Sequence, residues 1–150
     1  MKEQQIKSEQ YRYKPSAAVV LSRITRPSVL VTLGIGMYLH VTRLFLGTEL
    51  LIKYIYTATF DAVFAIPMLL CVISFLPAWK HFVFRNKFEK VVVAITGLYF
   101  LVSVPLHIQT WYTQSTDYIL AFPIWYSLVF LAYSSLLLII WWRLKVVIGD

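Results

Sequence analysis

The 150-residue chain alternates four long apolar blocks with short polar segments that are mostly basic. The blocks cover roughly residues 28–46, 54–76, 91–111 and 118–142, and each is near the length of about 20 helical residues that crosses the hydrocarbon of a bilayer. Inside lipid, only helices and closed barrels satisfy every backbone N–H and C=O group. Because the blocks lack the short alternating pattern of barrel strands, the sequence predicts an all-α integral membrane protein with four transmembrane helices in one bundle.

Composition supports this class, because 59% of the residues are apolar and 14% are charged, too few to cover a water-soluble domain with polar surface. We divide the chain into a basic N-terminal segment (1–27), a transmembrane domain (28–142) and a tail (143–150). Segment 1–27 is too polar for the apolar core of a signal peptide, so we expect the first helix to stay as an anchor. Within it, residues 16–26 could lie along the membrane surface as a short amphipathic helix.

The positive charges indicate how the bundle is oriented. The net charge is +7, and 12 of the 14 Lys and Arg residues lie before the first block, between the second and third blocks, or after the fourth. Cytoplasmic flanks are enriched in Lys and Arg, so we predict that both termini are cytoplasmic and that the plasma (inner) membrane is the location. The excess charge then faces the bilayer's anionic lipid headgroups at the cytoplasmic face and gives no reason to expect a nucleic acid partner.

Four ionisable side chains interrupt the apolar blocks at similar depth. His40 and Arg43 lie in the first block, Asp61 in the second and His107 in the third. At about 1.5 Å of rise per residue, all four fall in the outer half of the membrane. A charge facing hydrocarbon costs at least about 2.5 kcal/mol, so we expect these side chains to face the bundle interior, with Asp61 paired to Arg43. The sequence thus predicts a polar ligand-binding site whose walls also include Tyr38, Gln109, Trp125 and Tyr126.

Three interpretations of this polar layer stay open at the level of sequence. The layer can be purely structural and fix helix register. His40 and His107 can be the axial ligands of a b-type haem, with Arg43 beside a propionate. The layer can also be a pocket for a small anion, a lipid headgroup or a quinone, where Arg43 neutralises the ligand and a histidine exchanges protons. Two histidines and one aspartate are a poor set for a bound metal ion, so we predict no metal site.

Motifs of known enzyme classes are missing from the chain. It has no GxSxG, HExxH or glycine-rich phosphate loop, and its single cysteine, Cys71, cannot form a CxxC pair. We therefore predict a ligand-binding or accessory subunit of a homo-oligomer or larger membrane complex. A small transporter and a lipid-modifying membrane enzyme, with His40 or His107 as the base, are the alternatives.

Overall fold

The structure, a computed structural model, describes residues 17–146. It confirms the all-α membrane class, because four helices are long and apolar enough to cross a bilayer: Arg23–Leu46, Ala58–His81, Lys87–Thr113 and Trp125–Arg143. The elements in chain order are α1 (Ala17–Leu46), α2 (Thr48–Tyr54), α3 (Ala58–Ala78), a 3₁₀ turn (Trp79–His81), β1 (Phe82–Val83), α4 (Lys87–Thr113), α5 (Tyr118–Ala121), α6 (Trp125–Arg143) and β2 (Lys145–Val146).

Local sequence signals set several helix boundaries. Gly47 separates α1 from α2 with φ at +81°, a backbone conformation that L side chains rarely adopt. Thr57 begins α3, since its hydroxyl accepts a hydrogen bond of 3.1 Å from a backbone N–H one turn later. Asn86 begins α4 in the same way, with a bond of 2.8 Å from the N–H of Glu89. These caps satisfy backbone N–H groups that a helix leaves unpaired at its start.

Two predicted boundaries need correction. Helix α1 already includes residues 17–26, so this stretch is part of the first long helix and does not form a separate surface helix. The fourth apolar block is broken between α5 and α6 at Pro123, which has no N–H to continue a helix. The remainder of the predicted N-terminal segment, residues 1–16, and the tail from residue 147 lie outside the described residues.

The four long helices form an open-sided bundle. Helix α1 packs against both α3 and α6, and α3 packs in turn against α4, whereas α4 and α6 meet at few positions. The order around the bundle is therefore α4, α3, α1, α6. Helices α4 and α6 are joined through Tyr133, whose hydroxyl donates to the carbonyl oxygen of Val92 (3.1 Å) and lies 3.2 Å from the hydroxyl of Thr96. The rings of Tyr99 on α4 and Phe130 on α6, with centroids 6.3 Å apart, are a further contact between these two helices.

The two ends of the bundle differ in character. At the basic end, β1 and β2 pair antiparallel, and a guanidinium nitrogen of Arg26 donates to the carbonyl oxygen of Trp142 (2.9 Å). Neighbouring aromatic rings there lie 5.1 to 6.5 Å apart, and they belong to Phe75, Trp79, Phe82, Phe84 and Trp141. The opposite end, which we call the distal end, carries α2 and α5. Which end faces the cytoplasm stays a prediction.

Candidate ligand-binding site

A cavity of about 310 Å³ lies in the distal half of the bundle. Along α1 its wall runs from Thr32 to Arg43, about 16 Å of helix. The part near Thr32 is apolar, and its side chains are Leu33, Met68 and Phe100. The part toward the distal end adds polar side chains, which are His40, Arg43, His107 and Tyr118. The cavity therefore changes from apolar to polar along its length.

Asp61 is the central acceptor of a buried cluster behind this polar part. Its side chain is fully buried, with 0% exposed. Its Oδ1 atom accepts hydrogen bonds from the hydroxyl of Tyr56 and from Nδ1 of His107, and its Oδ2 atom accepts one of 3.2 Å from the hydroxyl of Tyr118. We call these four residues the acid cluster. A buried carboxylate needs such donors, because an unpaired charge away from water is very costly.

Both tyrosines of the acid cluster keep their protons at neutral pH. Tyr56 lies before α3 and Tyr118 begins α5, so both are outside the spanning helices. Burial, together with the neighbouring Tyr118 and Asp61, raises the pKa of Tyr56 far above its ordinary value. Burial also raises the pKa of Tyr118 to about 12. Each neutral hydroxyl can therefore donate a hydrogen bond to the side chain of Asp61.

The predicted pair between Arg43 and Asp61 is wrong. The one salt bridge within residues 17–146 joins Asp61 to His107. These two side chains come from α3 and α4, which are packed neighbours, whereas Arg43 projects from α1 toward α5. The partners of Arg43 are the hydroxyl of Thr48, at 2.8 Å from Nε, and the carbonyl oxygens of Ile119 and Phe122, which accept from Nη2.

His40 is held on the other side of the cavity. Its Nδ1 atom lies 2.9 Å from the hydroxyl oxygen of Ser127 on α6. Its ring stacks on Phe130, with centroids 4.1 Å apart, and meets the edge of Tyr126 at 5.7 Å. Since Nδ1 of His107 is also engaged, Nε2 is the nitrogen that each histidine has left for a ligand. Haem ligation through these two nitrogens stays a prediction.

The structure brings together some of the other predicted site residues and separates others. Tyr126 lines the cavity beside His40. Gln109 instead lines a second recess of about 270 Å³, which shares Tyr118 with the main cavity. Tyr38 and Trp125 are 58% and 59% exposed and do not line the cavity, so their predicted position in its wall is corrected. Both side chains project from the outer surface of their helices.

Three polar partners of the site were not predicted from the sequence. Tyr56 and Tyr118 were not predicted as site residues, because tyrosine is common at the membrane interface. Ser127 was not predicted either, because it lies in an otherwise apolar stretch. The one available signal was a tyrosine five residues before Asp61, at a depth where a buried carboxylate needs donors. Tyr118 and Ser127 give no such signal, because they reach the site only through the folding of distant segments.

Within residues 17–146, no group of three or more His, Cys, Asp or Glu side chains is arranged to hold a metal ion. Comparison of the chain with protein families, with curated proteins and with solved structures finds no match.

Proposed function

We propose that this integral membrane protein binds an amphiphilic small molecule in the cavity, with the polar group of the ligand at the distal end. The observation that carries the proposal is the cavity itself, which joins an apolar wall to a polar end inside the bundle. Ligand pockets are typically concave and mostly apolar, with a few polar groups that fix orientation. A molecule with an apolar tail and a polar head matches this distribution better than a fully polar solute.

The polar end offers groups that can recognise a head by hydrogen bonding. The Nδ1 atom of His107 is fixed by Asp61, so its Nε2 atom is the acceptor or donor that remains toward the cavity. The acid cluster holds the imidazole in place, as carboxylates commonly do for functional histidines.

The proposal includes assembly with other chains, either copies of itself or a larger membrane complex. Its support is the shortness of the connections between the spanning helices, which leave little chain there to contact a partner. Partners would therefore contact the lipid-facing surface. Native mass spectrometry of the protein released from nanodiscs measures the stoichiometry, and a monomer free of other chains would refute this part of the proposal.

The binding proposal is tested by photolabelling in nanodiscs. Two long-chain probes, a fatty acid and the corresponding fatty alcohol, each carry a diazirine on the chain. We expect at least one of them to label the α4 and α6 segments that line the cavity, around Ser103 and Phe130. An excess of unlabelled probe should suppress this labelling. Uniform labelling of all lipid-facing surfaces, unaffected by competitor, would refute ligand binding in the cavity.

An absorption spectrum separates this proposal from the haem alternative. The protein is expressed with adequate haem and purified gently, and its spectrum is recorded before and after reduction with dithionite. A sharp band of reduced b-type haem that is lost in both His40→Ala and His107→Ala would identify the ligand as haem and refute the amphiphile. A featureless spectrum leaves the amphiphile as the ligand.

A further inference from the structure

Arg43 carries a buried positive charge with no counter-ion among the residues that the structure describes. Its side chain is 3% exposed, and its three hydrogen-bond acceptors are a hydroxyl and two backbone carbonyl groups, all of them neutral. No carboxylate within residues 17–146 lies within 4.0 Å of it, because Asp61 is paired to His107. An uncompensated charge at this depth is costly, so the site favours a ligand that brings the opposite charge.

One nitrogen of the guanidinium of Arg43 has no hydrogen-bond partner within the described part of the chain. Its Nε and Nη2 atoms donate to the three acceptors, whereas Nη1 makes no hydrogen bond to any described residue. Arg43 lies in the cavity wall, at the end where the wall is polar. A guanidinium with free N–H groups forms strong, charge-assisted hydrogen bonds to carboxylate or phosphate oxygens.

The cavity opens sideways, between α4 and α6. Val102 and Leu106 on α4 line the cavity and are also 59% and 42% exposed on the outer surface, so they lie at its mouth. Helices α4 and α6 meet at few positions: the contact through Tyr133 lies toward the basic end, and the rings of Tyr99 and Phe130, 6.3 Å apart, lie at the start of the cavity, before Val102 and Leu106. A molecule dissolved in the bilayer can therefore reach the cavity from lipid without crossing an aqueous surface.

We infer that the ligand is a single-chain amphiphile with an anionic headgroup, carboxylate or phosphate, which enters from the bilayer between α4 and α6 and pairs with Arg43. This inference rests on the proposed function and specifies the ligand class. The tail occupies the apolar part of the cavity near Leu33 and Phe100, and the anion accepts hydrogen bonds from Nη1 of Arg43. His40 lies one helical turn from Arg43 and borders the same space.

The first test varies the ligand and leaves the protein unchanged. Oleate, oleyl alcohol and acetate compete with the photoreactive fatty acid in nanodiscs, at a pH where the acids are ionised. We expect oleate to compete at a concentration at least tenfold lower than oleyl alcohol, and acetate not to compete. Competition by acetate as strong as that by oleate would show that a water-soluble anion is bound and would overturn the inference. Equal competition by oleate and the alcohol would overturn it as well.

The second test varies the residue that carries the charge. Arg43→Gln should remove the preference for oleate over oleyl alcohol, whereas Arg43→Lys should keep part of it, because the positive charge is retained. An unchanged preference in Arg43→Gln would overturn the role of this residue. If Arg43→Gln does not fold, the comparison of Arg43→Lys with the unmodified protein still measures the effect of replacing the guanidinium, which should be a loss of severalfold in the preference.

The third test examines the lateral opening with a matched pair on α4. Val102→Trp places a large side chain at the mouth, and Leu101→Trp places the same side chain on an equally exposed position, 55%, that does not line the cavity. We expect slower labelling only in Val102→Trp, and equal rates in both would overturn access by this route. These results are distinguishable from a failure of the proposed function, which would show as no competed labelling of the cavity by either probe.

Discussion

Asp61→Asn tests whether the acid cluster stabilises the bundle. The substitution keeps the shape of the side chain and removes its charge, while three donors, from Tyr56, His107 and Tyr118, still point at it. A hydrogen bond to a charged group contributes about 1.5–3 kcal/mol and a neutral one about 0.5–1.5 kcal/mol. A loss of about 1 kcal/mol for each of three bonds predicts a decrease of about 3 kcal/mol in the free energy of unfolding.

The free energy of unfolding is measured by tryptophan fluorescence during SDS titration of the protein in mixed micelles. Asp117→Asn is the control, because Asp117 is exposed in the distal connection and should change stability by no more than about 0.5 kcal/mol. A change below about 1 kcal/mol for Asp61→Asn would refute the assigned hydrogen bonds.

Two further predictions concern stability at alkaline pH and close packing. The folded state raises the pKa of Tyr118 to about 12 from an ordinary value of 10, so its stabilising effect is complete below pH 10 and is lost as pH rises toward 12. Over this range, the free energy of unfolding of Tyr118→Phe should depend less steeply on pH than that of the unmodified protein. The exposed Tyr112→Phe is the control and should keep the original dependence. The same pH dependence in both variants would contradict the raised pKa of Tyr118. Gly97→Ala should destabilise by about 1–3 kcal/mol, because a Cβ there would lie 2.7 Å from the ring of Phe75, which other aromatic rings hold in place. Gly34→Ala is the control: its added Cβ meets no atom within 4 Å, so it should be neutral or stabilise by up to about 1 kcal/mol. Equal effects of the two substitutions on thermal unfolding would show that the packing at Gly97 is looser than described.

The number and approximate positions of the spanning helices could be predicted from the sequence, because hydrocarbon imposes a length and a composition on every crossing segment. The start of α1 was misplaced because Arg23 and Arg26 reduce the apolar character of a stretch that is still helical. The break at Pro123 was not predicted, because a proline inside an apolar block can also lie within a continuous helix, as Pro67 and Pro105 do. Proline alone does not distinguish a break from a tolerated position, since neighbouring helices decide whether the freed backbone groups find partners.

The residues that meet around the cavity could be predicted better than their hydrogen-bond partners. His40, Arg43 and His107 do line one cavity, and Asp61 lies directly behind it, as their similar depth indicated. Their partners could not be deduced, because depth gives no information on which helices are neighbours. Asp61 bonds to His107 since α3 packs against α4. Arg43 reaches the carbonyl groups around α5, a segment whose position follows only from the break before α6.

The contacts between α4 and α6 are distributed unevenly along the open side of the bundle. The hydroxyl of Tyr133 joins α6 to α4 near Val92 and Thr96. The segments nearer the distal end, at Val102 on α4 and Tyr126 on α6, border the cavity. The rings of Tyr99 on α4 and Phe130 on α6, with centroids 6.3 Å apart, lie between Tyr133 and these segments. Both contacts between the helices therefore lie on the basic side of the proposed entrance, so the rate at which a ligand enters depends on residues that do not touch its headgroup.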